Sequence, residues 1–235
     1  MSGPGAYIIV QARMGSSRFP GKTMAEIAGK PTLWYLFRQL SFCKTIDGIV
    51  LATTDNKKDD ALATYGKDKG WNVFRGSESD VLGRYYNAAL QLNPSPLTAI
   101  VRLTGDDILT DPLLIDGLVS AYKSMPDRLG LVTTDQSNRL PYGAQIEICS
   151  FAALAEAHAN ATSAHEREHV FPYIRARDEQ FPVLELKAPE GLPLMSLSID
   201  HPTDLEKIRQ LIKEMNMNTK PPYHLHDVLR AIEVL

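Results

Sequence analysis

Cysteine is almost missing from this chain: Cys43 and Cys149 are the only two among 235 residues. They stand far apart and lack the paired spacing of a thiolate metal site, so they read as reduced thiols of a cytoplasmic protein and not as a disulfide framework. Long apolar runs are lacking as well. The start Met1-Ser2-Gly3-Pro4-Gly5-Ala6 has no charged n-region, so neither a signal peptide nor a membrane span is expected. There is no excess of positive charge. A net charge of −3 gives no global attraction for nucleic acid or an anionic membrane, so an anion site must be built locally. Repeats, low-complexity tracts and linkers rich in Pro, Gly or Ser are absent, and residues 1–235 read as one domain. What remains is ordinary: 44% hydrophobic and 23% charged residues, the balance of a soluble globule.

Apolar strand-like runs alternate with helical patterns, which predicts an α/β protein with a mainly parallel sheet. Strands are expected at Tyr7–Gln11, Gly48–Thr53, Asn72–Phe74 and Ala99–Leu103. Helices are expected at Thr32–Phe42, Asp59–Lys69, Val81–Leu92 and Pro112–Tyr122, the last with Asp111 as N-cap and Pro112 at its first position. Beyond about residue 130 the rhythm changes. Leu131–Thr134 and Gln145–Ile148 read as strands of a different, antiparallel or mixed piece, followed by helices at Ser150–His158 and His165–Ala176. Strands at Val183–Lys187 and Met195–Ile199, then helices at Asp204–Met215 and His226–Leu235, complete the pattern.

The first strand ends in the most informative segment, Gln11-Ala12-Arg13-Met14-Gly15-Ser16-Ser17-Arg18-Phe19-Pro20-Gly21-Lys22. Small residues let backbone N–H groups close around an anion, while Arg13, Arg18 and Lys22 add charge with no acid among them. The alternative is a plain solvated loop. Gly21-Lys22-Thr23 imitates the end of a P-loop, but the required first glycine is Ser16, and Gly15 falls one position early. Pro20 also removes a donor where a P-loop needs one.

A triphosphate held there needs a divalent metal, and magnesium prefers carboxylates, substrate oxygens and water. Arg102-Leu103-Thr104-Gly105-Asp106-Asp107 places Asp106 directly after a strand, with Gly105 permitting a close turn. Asp200 likewise follows a strand, whereas Asp204 reads better as a cap of the next helix. Asp107 is open between a partner of the site and a solvated loop acid. His165 and His169 have zinc-like spacing without a third ligand, and His224-x-His226 has no acid or thiol beside it in sequence. Trp34, Tyr35 and Phe37 read as helix core.

The loop from Gln11 to Lys22, followed by Gly29-Lys30-Pro31, closely resembles the cytidylyltransferases of the spore-coat polysaccharide (SpsF-like) type, relatives of CMP-Kdo and CMP-sialic acid synthetases. Further matches are Gly76–Tyr86, Arg102–Asp106 with Asp111-Pro112, Tyr142–Glu147, Arg167–Val170 and Asp200-x-Pro-x-Asp204. Departures are Asp107-Ile108 after the metal aspartate and Gly83 where an acid is common. The resemblance implies a Rossmann-like GT-A-type nucleotidyltransferase fold: a mainly parallel or mixed central sheet flanked by helices, with a small acceptor-side and dimerisation insertion. On that pattern 1–130 is the nucleotide-binding half, 131–195 the acceptor-side and dimerisation region, and 196–235 the closing strand and helices.

The implied reaction moves CMP from CTP to a sugar, sugar acid or related acceptor with Mg²⁺, in a cytoplasmic homodimer. Catalysis falls to Lys22, Arg18, Asp106 and Asp200, the two aspartates being the metal ligands. Gln11, Ala12, Arg13, Gly15, Ser16, Ser17, Asp80, Arg102, Thr104 and Gly105 complete the nucleotide site. Around the acceptor, in the stretch 139–170, stand Tyr142, Gln145, Glu147, Arg167 and His169. For Gln11, Asp80 and Arg102 a sheet-edge or ion-pair role competes with base reading; for Arg167 and His169 a charged helix start competes with acceptor binding. Another nucleotide, a phosphonate or sugar-phosphate acceptor, or a binding module without catalysis are the other readings.

Overall fold

The computed structural model describes residues 4–134, 140–193, 195–218 and 220–234, so residue 139, the first of the expected acceptor-side stretch, lies outside the described residues. Strand β1 (Ala6–Gln11) is central in one seven-stranded sheet. It pairs in parallel with β4 (Gly48–Thr54) on one side and β6 (Ala99–Thr104) on the other. Beyond β4 lies parallel β5 (Asn72–Gly76). Beyond β6 come antiparallel β8 (Glu147–Ser150), then β7 (Leu131–Thr134), then β9 (Val183–Leu186), parallel to β7. The strands past residue 130 therefore extend the main sheet instead of forming a separate piece, and only β8 reverses the direction. A two-residue hairpin, β2 (Glu26–Ile27) and β3 (Lys30–Pro31), forms a small second sheet. It is too short to leave a periodic pattern in the sequence.

Alternation along β1 explains the two layers. Ala6, Ile8 and Val10 join one buried cluster and Ile9 the other; on β6, Val101 and Leu103 face the first and Ile100 the second. The first cluster is covered by α1 (Thr32–Leu40), α2 (Asp60–Asp68), α4 (Pro112–Ser124), α8 (Pro202–Asn218) and α9 (Leu225–Val234). The second is covered by α3 (Val81–Leu90), α5 (Phe151–Asn160) and α7 (Pro172–Arg175). Helix α1 shows why: Leu33, Leu36, Phe37 and Leu40 repeat at helical spacing and are all buried. Trp34 and Tyr35 are only half-buried.

Two expected elements break differently. The helix expected over His165–Ala176 is split into α6 (Ala164–His169) and α7, because Val170 has φ 72° and ψ −55° and Phe171 N–H bonds back to His169 O at 2.9 Å. That three-residue γ-turn ends α6, and Pro172 starts the next helix. Met195–Ile199 makes only an isolated bridge, Ser196 with Tyr142, and is not a strand. Among the described residues no helix is long and apolar enough to cross a membrane.

Candidate active site

The register of the sheet sets the site. Gln11 is level with Thr104, so the loop after β1 and the turn after β6 leave the same edge side by side. This is the switch point of an open α/β sheet, with β1's neighbours reached by connections on opposite faces. Gly105 lets the two turns touch: its N–H donates to Gln11 O at 2.8 Å, and a Cβ there would lie 2.8 Å from Ala12 Cβ.

The loop is pinned from outside itself. Met14 N–H donates to Asp59 Oδ1 at 2.6 Å, and Thr54 Oγ1 donates to Asp59 Oδ2. Gly21, left-handed at φ 77°, returns its N–H to Met14 O at 2.9 Å and leads into a single 3₁₀ turn, Lys22–Met24. Lys22 is thereby carried inward to 9% exposure. Its Nζ donates to Asp106 Oδ2 at 2.5 Å and to Asp200 Oδ1 at 2.9 Å, and Arg18 Nη2 donates to the same Asp200 oxygen at 2.7 Å. Burial works against the Lys22 charge, but Asp106 and then Asp200 outweigh it and hold its pKa above the usual value.

In sequence the loop's cations face no acid; in the fold each finds one from afar. Arg13 meets Glu78 Oε1 at 2.9 Å, and Arg18 and Lys22 meet the two aspartates. Asp204 accepts from the N–H groups of Asp200 and His201 at 3.1 and 2.8 Å, so it serves the start of α8 while Asp200 faces the loop. Asp107 is not a solvated loop acid. It accepts from Thr104 Oγ1 at 2.6 Å, and burial, with the Asp106 charge beside it, pushes its carboxyl well above the usual range.

A cleft of about 920 Å³ opens over this edge. Gln11, Ala12, Arg13, Ser16, Ser17, Arg18, Lys22, Arg102, Thr104, Gly105, Asp106 and Asp200 line it, and Tyr142 and His169 stand on the other wall. Gly15, Asp80, Gln145, Glu147 and Arg167 are not among the lining residues. Asp80 caps α3 through Gly83 N–H at 2.9 Å and takes Arg167 Nε at 2.9 Å; Arg167 Nη1 goes to His158 O at 2.8 Å. Arg167 is thus committed to protein groups where an acceptor carboxylate was expected. Gly83 has a local reason: a Cβ there would lie 2.2 Å from Asp80 Oδ2. Glu147 sits between Arg102, at 2.8 Å, and Arg175, and Gln145 is half-buried.

Asp55, Ser77, Glu78, Arg84 and Glu168 also line the cleft and were not singled out from sequence. The signal for Glu78 is the one that found Asp106, an acid just past a strand's carboxyl end. Asp59 offered none, because its partner Met14 N–H is remote in the chain. Gln11 Oε1, Thr53 Oγ1, Arg84 Nε and Arg102 Nε are buried without a protein partner, and three of these four residues, Gln11, Arg84 and Arg102, belong to the cleft lining. Among the described residues no group of three or more His, Cys, Asp or Glu side chains could hold a metal ion; the ring pair His165 and His169, 4.6 Å apart, has no third partner.

A doubly wound sheet of this order is the fold of Rossmann-like nucleotidyltransferases. The chain belongs to the cytidylyltransferase family, whose profile, described as "Cytidylyltransferase", matches residues 7–227. It is 34% identical over 219 residues to the spore coat polysaccharide biosynthesis protein SpsF of Bacillus subtilis, covering 88% of this chain and 85% of that protein. The solved structure of a cytidylyltransferase from Leptospira borgpetersenii superposes with a TM-score of 0.89 at 29% identity, covering 98% of this chain and 94% of that one. A CMP:2-keto-3-deoxy-manno-octonic acid synthetase complexed with CTP shares the fold, with a TM-score of 0.65 at 19% identity over 89% of this chain and 98% of that one. The protein is a cytidylyltransferase acting on a small-molecule acceptor.

Proposed function

We propose that the chain transfers CMP from CTP to a hydroxyl of a sugar or sugar acid, with Mg²⁺, for the synthesis of an activated sugar. The observation that carries this reading is the meeting of Lys22 and Arg18 with Asp106 and Asp200 on one sheet edge. The chain is also similar to the 8-amino-3,8-dideoxy-manno-octulosonate cytidylyltransferase of Shewanella piezotolerans, 34% identical over 54% of this chain and 51% of that protein, which supports an acidic sugar as acceptor. A cytoplasmic homodimer is the form we infer, with neither nucleic acid nor membrane as partner.

Asp106 and Asp200 fit a magnesium ion: both place a carboxylate oxygen on one ammonium nitrogen, and two hard oxygens leave room for phosphate oxygens and water. When bound, the ion would screen the triphosphate and activate its α-phosphorus. The acceptor oxygen forms its bond to the α-phosphorus as the bond to the bridging oxygen breaks, and the acceptor proton is released as pyrophosphate leaves. Lys22 and Arg18 stabilise the charge that gathers on pyrophosphate, helped by donors from Ser16 and Ser17, which line the same cleft. Gln11, Ala12 and Arg102 are assigned to orienting the nucleotide and Tyr142 and His169 to orienting the acceptor, a reading supported by their sharing one cleft with Lys22 and Asp106.

A pyrophosphate-release screen of the four NTPs against sugar acids, neutral sugars, polyols, sugar phosphates and phosphonates, with product mass spectrometry, tests this. The expected result is release from CTP with a sugar or sugar acid and a CMP-linked product. Turnover with another NTP, or with phosphonates alone, would overturn it.

A further inference from the structure

Lys22 holds both carboxylates that the proposed reading gives to the metal, and this double hold has a consequence for the order of binding. Two of its ammonium N–H groups are committed, one to Asp106 Oδ2 at 2.5 Å and one to Asp200 Oδ1 at 2.9 Å. The side chain is 11% exposed, against 21% and 15% for the two acids, so water screens the trio poorly. Arg18 adds a second cation on the same Asp200 oxygen. Two carboxylates and two cations sum to zero. A divalent ion approaching this quartet meets no net attraction, and one oxygen of each carboxylate it needs is already held by a cation.

We propose that Lys22 is a built-in competitor for the Asp106–Asp200 pair. The pair is released to a divalent cation only when nucleotide phosphates draw the Lys22 ammonium away. The backbone supports a swinging arm on a fixed pivot. Lys22 N–H donates to Phe19 O at 3.2 Å, and its carbonyl accepts from buried Thr32 Oγ1 at 2.6 Å and from Ala25 N–H at 3.3 Å. The main chain is therefore tied at both ends of the residue, while the long aliphatic stem lets the ammonium travel. Ser16 and Ser17 line the same cleft as Lys22, Asp106 and Asp200, so the ammonium has polar groups along its way. Metal and nucleotide then favour one another, and each must raise the other's affinity by the same factor. Lys22 accordingly has two anionic partners in succession: the aspartates first, the phosphates afterwards. This inference rests on the reading of Asp106 and Asp200 as metal ligands.

Manganese binding to the full-length protein, followed by electron paramagnetic resonance and calorimetry, tests it without turnover. In Lys22→Met, which keeps the stem and removes the charge, Mn²⁺ should bind the nucleotide-free protein at least roughly tenfold more tightly than it binds the wild type, a coupling of ordinary size. With a non-hydrolysable CTP analogue present, that advantage should vanish. If the methionine variant fails to fold, Lys22→Gln, which retains a donor for one carboxylate, gives the same comparison. Nucleotide-free Mn²⁺ affinity that is unchanged or weaker in the variant overturns the inference, while Asp106→Asn and Asp200→Asn still weakening Mn²⁺ in the ternary complex leaves the metal reading standing. If neither asparagine variant changes ternary Mn²⁺ binding, the metal reading itself fails and the inference falls with it.

Discussion

Asp106 sits at the tightest point of the site, one residue past a glycine that no larger residue could replace and bonded to the buried Lys22 ammonium. Asp106→Ala should cut turnover by about 10²–10³ or more, by analogy with the loss of one group that stabilises developing charge. Circular dichroism should show the fold intact, since Asp106 stands at the cleft and outside the apolar core. Near-normal turnover would remove Asp106 from the machinery. At this scale the sequence was legible where chemistry sits beside a strand end: the Gly/Ser loop and Asp106 follow β1 and β6, whereas Asp200 was read from an expected strand that is only an isolated bridge. It was not legible where the meaning of a side chain depends on a remote partner. Arg167 was left open between acceptor binding and a charged helix start, with Glu166 and Glu168 beside it; its actual partner, Asp80, is remote in the chain and is brought alongside by the packing of α6 on α3. Asp59 was read only as the first residue of a helix, although it is the post to which the Gly/Ser loop is tied through Met14 N–H.

Elements carry their own tests. The γ-turn at Val170 forces a buried, β-branched residue to positive φ, a conformation that costs about 1–3 kcal/mol, and it directs His169 towards the cleft. Val170→Gly gives back that strain but removes a buried side chain worth about 1.5–3 kcal/mol. Urea denaturation should therefore show only a small net change, while the acceptor KM rises and nucleotide affinity holds. A loss of the full burial energy would show the turn to be unstrained. Asp111 offers a second case. It caps α4 through Leu113 N–H at 2.8 Å and also accepts from Leu225 N–H at 2.8 Å and His224 Nδ1 at 2.9 Å, joining α9 to α4. Asp111→Ala should cost about 2–4 kcal/mol in urea denaturation, combining a lost cap with a stranded donor at α9. A cost below about 1 kcal/mol would mean that α9 is held by its apolar face alone. The capping role was readable from Asp111-Pro112, a local signature. The tie to α9 was not, since it closes over more than a hundred residues. The long helices and parallel strands were likewise legible from their periods; the split of the expected His165–Ala176 helix was signalled only by Pro172, and its exact place was not, since valine is the last residue one would choose for that turn.

Across the whole molecule, the two hydrophobic layers meet only through the sheet, and both cysteines belong to its packing. Burial, with Asp116 and Asp111 nearby, pushes the Cys43 thiol up to about 12, and burial raises Cys149 further still. Both are free thiols, as the sequence reading expected. An aromatic disulfide reagent at pH 8 should therefore label half-buried Cys43 slowly, for want of thiolate, and buried Cys149 only as the sheet opens in denaturant. Fast native labelling of two thiols would contradict the burial of Cys149 in β8. The Lys22 bridge has a molecular consequence of another kind. An acidic pair with a free counterion behaves as an exchange resin does, surrendering its ion to whichever salt is most concentrated. Here the counterion is leashed to the resin, and a tethered ammonium has a local concentration that dissolved monovalent ions do not reach. Replacing potassium by a bulky monovalent cation at constant ionic strength should thus leave Mn²⁺ affinity unmoved, and a potassium-specific loss would show the leash to be slack. The site is deaf to the commonest ions around it, and answers only to a polyanion able to take the leash in hand.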